Sequence, residues 1–113
     1  MSKKPNTYQK ARLQYPNSAI LFAICKERYQ SLVPVKVRDI DIGNLISLDQ
    51  SGTTQWKMGI KKMHDVILLK TLAKEVKIPL LVMVKILEGE APAKYKAISD
   101  EILSAAKERR RHD

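Results

Sequence analysis

The sequence predicts an α+β, mostly helical protein that assembles as a homodimer around an intermolecular two-stranded antiparallel ribbon, with an extra N-terminal helix and strand and a C-terminal helix. Three observations predict it. Apolar and polar residues alternate over residues 53–60, the apolar period lengthens to three and four after Ile60, and the run Leu80-Leu81-Val82-Met83-Val84-Lys85-Ile86-Leu87 carries a single charge. A strand, a helix and a second helix apolar on all sides therefore follow one another. A chain of 113 residues has a small core in which to bury the last of these, so a twin helix from a second copy is expected to cover it.

The elements divide the chain into four stretches. Residues 1–15 form a flexible basic arm with Lys3, Lys4, Lys10 and Arg12. Residues 16–52 hold the N-terminal helix and an accessory strand. Pro16-Asn17-Ser18 supplies turn and capping chemistry, and a helix over residues 19–32 offers Ile20, Phe22, Ile24 and Cys25 for burial. Pro34 closes that helix, and Val35-Lys36-Val37-Arg38 alternates as a half-buried strand does. Ile40 and Ile42 fall on the opposite parity, so the strand bulges or ends near Asp39, and Asp39-Ile40-Asp41-Ile42-Gly43 is not expected to open a helix. Turns follow at Gly43-Asn44 and at Asp49-Gln50-Ser51-Gly52.

Residues 53–90 form the strand-helix-helix unit. Thr53, Gln55 and Lys57 lie on one face of the predicted strand, and Trp56, Met58 and Ile60 on the other. A two-stranded ribbon fits the major groove of B-DNA, where Gln pairs bidentately with adenine and Lys donates to guanine O6 and N7. Thr53, Gln55 and Lys57 are therefore the expected base readers. Val66, Leu69, Leu72 and Ala73 mark the inner face of the first helix, and Pro79 suits the first turn of a second one running to Leu87. The predicted dimer core comprises Trp56, Met58, Ile60, Val66, Leu69, Leu72, Met83, Val84 and Leu87. The competing reading of residues 80–87 is a central β-strand, since Val and Ile favour strands. Gly59 is expected to permit close backbone approach to DNA.

Residues 91–113 form a C-terminal basic helix after the break at Glu88-Gly89-Glu90-Ala91-Pro92, with Tyr95, Ile98, Ile102 and Ala105 or Ala106 turned inward onto the dimer. Arg109, Arg110 and Arg111 end it, where cations complement the helix dipole and are placed to meet phosphates.

Over residues 53–87 this order resembles the ribbon-helix-helix repressors and antitoxins typified by Arc, the methionine repressor and CopG. The local likeness is Leu72-Ala73-Lys74-Glu75-Val76-Lys77-Ile78-Pro79, similar to that family's Leu-Ala-x-x-x-Gly-Ile-Pro turn. Lys77 stands where the family prefers glycine, and Pro79 where it prefers a serine or threonine cap. The resemblance implies a phosphate clamp at the second helix's N-terminus, made by the Leu80 and Leu81 backbone with Lys77 beside it.

Charge points to the same partner. Twenty-one Lys and Arg against twelve Asp and Glu leave a net charge of +9, a field that draws polyanions. Double-stranded DNA is the expected partner, with Lys61 and Lys62 also on phosphates. No membrane is expected, because no apolar run approaches the ~20 residues a spanning helix needs. Cys25 is the sole cysteine, which excludes an intramolecular disulfide and a cysteine-rich metal site and fits a reducing cytoplasm. No cofactor or metal is expected. His64 and His112 lack a nucleophile or carboxylate motif, so the chain is not expected to be an enzyme, and His64 reads as a surface or phosphate-facing residue. The expected function is a homodimeric, sequence-specific transcriptional regulator. The alternatives are an antitoxin or other protein that engages a partner through residues 19–42, and a basic RNA-associated α+β protein.

Overall fold

One helix organises the molecule. Helix α1, Pro16–Leu32, begins on a proline, whose missing N–H costs nothing in a first turn, and buries Ser18 to Phe22, Ile24 and Cys25. The computed structural model describes residues 12–111, with side chains as far as Arg109. Residues 1–11 of the predicted arm and residues 112–113 lie outside them. Around α1 stand α2, Asp39–Asn44, α3, Gln50–Lys57, α4, Val66–Val76, α5, Leu80–Leu87, and, after a 3-10 turn at Ala93–Tyr95, α6, Lys96–Arg111. Helix α1 packs against each of the other five.

Among the described residues there is no strand, so the predicted α+β ribbon fold is not formed. Two segments account for the difference. Residues 35–38 are extended as expected, but their backbone is satisfied by a side chain: Gln30 Nε2 donates to the Val35 carbonyl at 2.8 Å, and Val37 N donates to Gln30 Oε1 at 2.8 Å. Val37 turns into the core while Val35 stays 67 % exposed, so the two valines that the alternation puts on one buried face do not share it, and no half-buried strand forms. The predicted strand over residues 53–60 is instead the body and end of α3. Thr53 and Trp56, three apart, bury together on its inner face. Asp49 caps the helix by accepting from Gly52 N at 2.7 Å. At the far end Gly59 takes φ +68°, Gly59 N donates to the Trp56 carbonyl at 3.0 Å, and Ile60 N donates to that of Gln55 at 2.9 Å. Gly59 is no approach to DNA: a Cβ there would lie 3.1 Å from both Leu13 Cα and Tyr15 O.

Residues 39–44 also correct the sequence reading, because they form a helix. The Asp41 carboxylate accepts from Arg38 N at 2.8 Å and from Arg38 Nη2 at 3.0 Å, closing a capping box that the alternation concealed.

Helices α4 and α5 stand where the periodicity puts them. Asp65 caps α4 through Ile67 N at 2.9 Å. Lys77 ends it in the left-handed region at φ +55°, the conformation that its glycine-like place in the turn requires. Part of helix α5 is covered without a second copy. Met83 and Ile86 of α5 bury within the one chain, between α1 and α4, and Asn17 Nδ2 donates to the Leu87 carbonyl at 3.1 Å. Trp56, Leu69, Leu72 and Met83 are core residues of the single chain, Met58, Ile60, Val84 and Leu87 are half-buried around it, and Val66 is exposed. Tyr95 of the 3-10 turn and Ala106 of α6 are buried as expected, and α6 packs on α1 of its own chain.

Helices α2 and α3 approach closely at Gly43, where an added Cβ would overlap Thr53 Oγ1 and come within 2.8 Å of Thr53 Cβ on α3. Gly43→Ala is expected to cost roughly 1–3 kcal/mol, the usual penalty for overpacking, read as a lower urea midpoint. Ser47, at φ +61° between the same two helices, should respond in the opposite sense. Ser47→Gly removes a left-handed penalty and is expected to raise stability by up to about 1 kcal/mol. Equal midpoints for the three proteins would contradict both assignments.

Candidate nucleic-acid interface

Helices α2 and α3 are joined by residues 45–49 and pack directly on one another, with α1 behind both. The inner face of α3 is fixed three times. The Trp56 indole is wholly buried, meets the Phe22 ring edge-on at 4.9 Å between centroids and 88° between planes, and donates Nε1–H to the Ser18 carbonyl at 2.9 Å. Thr53, 1 % exposed, donates Oγ1–H to the Asp49 carbonyl at 2.7 Å. Lys57 Nζ lies 2.6 Å from Asp39 Oδ2, and Lys26 Nζ lies 2.7 Å from Asp39 Oδ1, so one carboxylate ties α1, α2 and α3 together.

The outer side of α3 carries Gln50, Ser51, Thr54 and Gln55, exposed or half-buried, in two rows spaced four residues apart. Thr54 Oγ1 donates to the Gln50 carbonyl at 2.9 Å, and Gln55 Nε2 to Ser51 Oγ at 3.3 Å. Cations stand at the helix's C-terminal edge. Ile60 N and Lys61 N both donate to the Gln55 carbonyl, at 2.9 and 3.2 Å, which folds Lys61 and Lys62 back beside the last turn. Leu13 N and Tyr15 N donate to the Met58 and Gly59 carbonyls at 2.7 and 2.8 Å, bringing Arg12 to the same edge. Ser18 Oγ accepts from Met63 N at 2.9 Å and fixes the segment that follows the lysines.

The expected base readers separate accordingly. Thr53 is buried, Lys57 is exposed with its Nζ held at Asp39, and Gln55 is half-buried on the outer side of α3. Gln50, Ser51 and Thr54 were missed because Asp49 to Gly52 reads equally as a turn. The available signal was Asp49 as a cap and Gly59 as a stop bracketing the Thr53, Trp56 spacing. Of the expected phosphate residues, Lys61 and Lys62 border α3. Lys77 is exposed at the α4–α5 turn, with Leu80 half-buried and Leu81 66 % exposed on the next helix. Arg109 is half-buried on α6, while the side chains of Arg110 and Arg111 lie outside the described ones. His64 is exposed, its Nδ1 3.1 Å from the Lys62 carbonyl.

Other chemistry finds little footing. No group of three or more His, Cys, Asp and Glu is placed to hold a metal ion among the described residues. Cys25 is buried, and burial pushes its thiol well above the usual range, away from the reactive thiolate. A groove of about 750 Å³ runs between α1, α6 and the end of α3, past Phe22, Met58 and Ile102. No helix among the described residues is long and apolar enough to cross a membrane. In comparisons with known proteins, no family model, curated protein or solved structure matches the chain.

Partial burial acts to raise the Asp39 carboxyl, but hydrogen bonds and charge from the Lys26 and Lys57 ammonium groups outweigh it and hold the carboxyl below the usual range. A depressed folded-state value stabilises the protein above the unfolded-state value, about 3.9, and that stabilisation is lost as pH falls through the folded value. Asp39→Asn should therefore be less stable than the parent near pH 7, with the gap in urea midpoint closing below about pH 4. A gap that stays constant down to pH 3 would mean that the two lysines do not act on Asp39 as charges.

Proposed function

We propose that the chain is a DNA-binding protein of the helix-turn-helix kind, with α3 as the helix that enters the major groove. The observation that carries this reading is the division of α3: Thr53 and Trp56 lock it across α2 and onto α1, while Gln50, Ser51, Thr54 and Gln55 form a polar outer face. A recognition helix needs this combination, a rigid inner anchorage and side chains long or polar enough to meet base edges. Lys61, Lys62 and Arg12 border the helix where sugar-phosphate strands flank a groove, and the net charge of +9 supports a polyanionic partner.

Fluorescence anisotropy with duplex DNA tests the reading. The parent should bind with steep salt dependence, and Lys61→Ala combined with Lys62→Ala should lower the slope of log K against log salt by about 2. Ser51→Glu puts a like charge against the DNA while favouring the first turn of α3 through the helix dipole. It should cut affinity at least tenfold with no loss of thermal stability. Unchanged affinity in that variant would remove α3 from the groove.

A further inference from the structure

We infer that the α3 face reads adenine and thymine, so that the bases beneath Gln50, Ser51, Thr54 and Gln55 are A·T-led. This rests on the helix-turn-helix reading and specifies what it recognises. The outer face carries two carboxamides and two hydroxyls and no cation. Guanine is read in the major groove chiefly by Arg or Lys on O6 and N7, whereas adenine is read by a carboxamide that accepts from N6 and donates to N7. The cation nearest in sequence, Lys57, is exposed on the flank of the helix toward α2, where its Nζ is held 2.6 Å from Asp39. Charge is thus kept off the reading face and placed at its border, on Lys61 and Lys62.

The existing hydrogen bonds sharpen the assignment. Gln55 Nε2 spends one proton on Ser51 Oγ, at 3.3 Å, which orients the amide and leaves its second proton for adenine N7 and Oε1 for adenine N6. Thr54 gives its hydroxyl proton to the Gln50 carbonyl at 2.9 Å, so toward a base its oxygen can only accept, as from adenine N6, while its methyl group is a partner for a thymine methyl. Gln50, exposed in the first turn, supplies the second adenine-reading amide.

Selection of bound duplexes from a random pool with the full chain, followed by affinity measurements on the selected site, tests this. A·T pairs should dominate the positions that α3 covers. Replacing a contacted adenine by 7-deazaadenine, which lacks N7, should weaken the parent about tenfold. The same replacement should not weaken further the variant, Gln50→Ala or Gln55→Ala, that has lost the matching amide. A selected site led by G·C, or indifference to 7-deazaadenine at every adenine, would overturn the inference while leaving the helix-turn-helix reading in place. Failure to bind or enrich any duplex at moderate salt would overturn both.

Discussion

The indole of Trp56 is the contact on which the interface depends. It is the largest fully buried side chain in the protein, its ring edge-on to Phe22 and its N–H spent on the backbone of Ser18. Because Ser18 also accepts from Met63 N through its hydroxyl, one residue at the start of α1 fixes both α3 and the segment leaving it. An indole N–H buried without a partner costs about 1–3 kcal/mol, so the ring has one satisfactory seat and the helix carrying it one orientation. The polar outer face is then a consequence of geometry: with Thr53 and Trp56 inward, residues 50, 51, 54 and 55 are left outside.

The same division of labour explains where the charge sits. Lys57, the one cation within α3, is turned to Asp39 and shares that carboxylate with Lys26. It serves the junction of three helices. Free cations are displaced to the segment after Gly59, where the chain folds back along the helix it has just left. In the proposed DNA-binding role, a polar face bordered by lysines would separate sequence discrimination from electrostatic attraction, two contributions that respond differently to salt.

Helical periodicity carried much of the fold. Leu69, Leu72 and Val76 recur at three and four, and α4 follows from them; the αL turn at Lys77 is legible from its place before Ile78-Pro79. Residues 53–60 were ambiguous for a physical reason. In Thr53-Thr54-Gln55-Trp56-Lys57-Met58-Gly59-Ile60 the last three apolar residues are spaced by two, yet Met58 and Ile60 lie beyond the helix, in its cap and exit. The period that mattered, Thr53 to Trp56, involves a threonine that buries because Gly43 leaves room for it, a tertiary fact no local pattern states. The all-apolar α5 misled in a related way. An eight-residue helix placed between α1 and α4 is covered on most sides by one chain, so its composition did not require a second copy. Of the candidate site, Lys61, Lys62 and Gln55 are singled out by charge and side-chain chemistry, whereas the outward place of Gln50 follows only once Asp49 is recognised as a cap.

The Gln30 amide that closes residues 35–37 has a bearing on how the protein keeps company with itself. An extended segment with open N–H and C=O groups is a template on which another chain can add a strand, and an exposed Val35 would favour such stacking. One carboxamide occupies a carbonyl and an N–H of that template from within the same chain. The connection from α1 to α2 is thereby self-terminating: it keeps the reach of a strand and gives up the valency of one, and a crowded, highly expressed population of this protein has one fewer edge along which to polymerise.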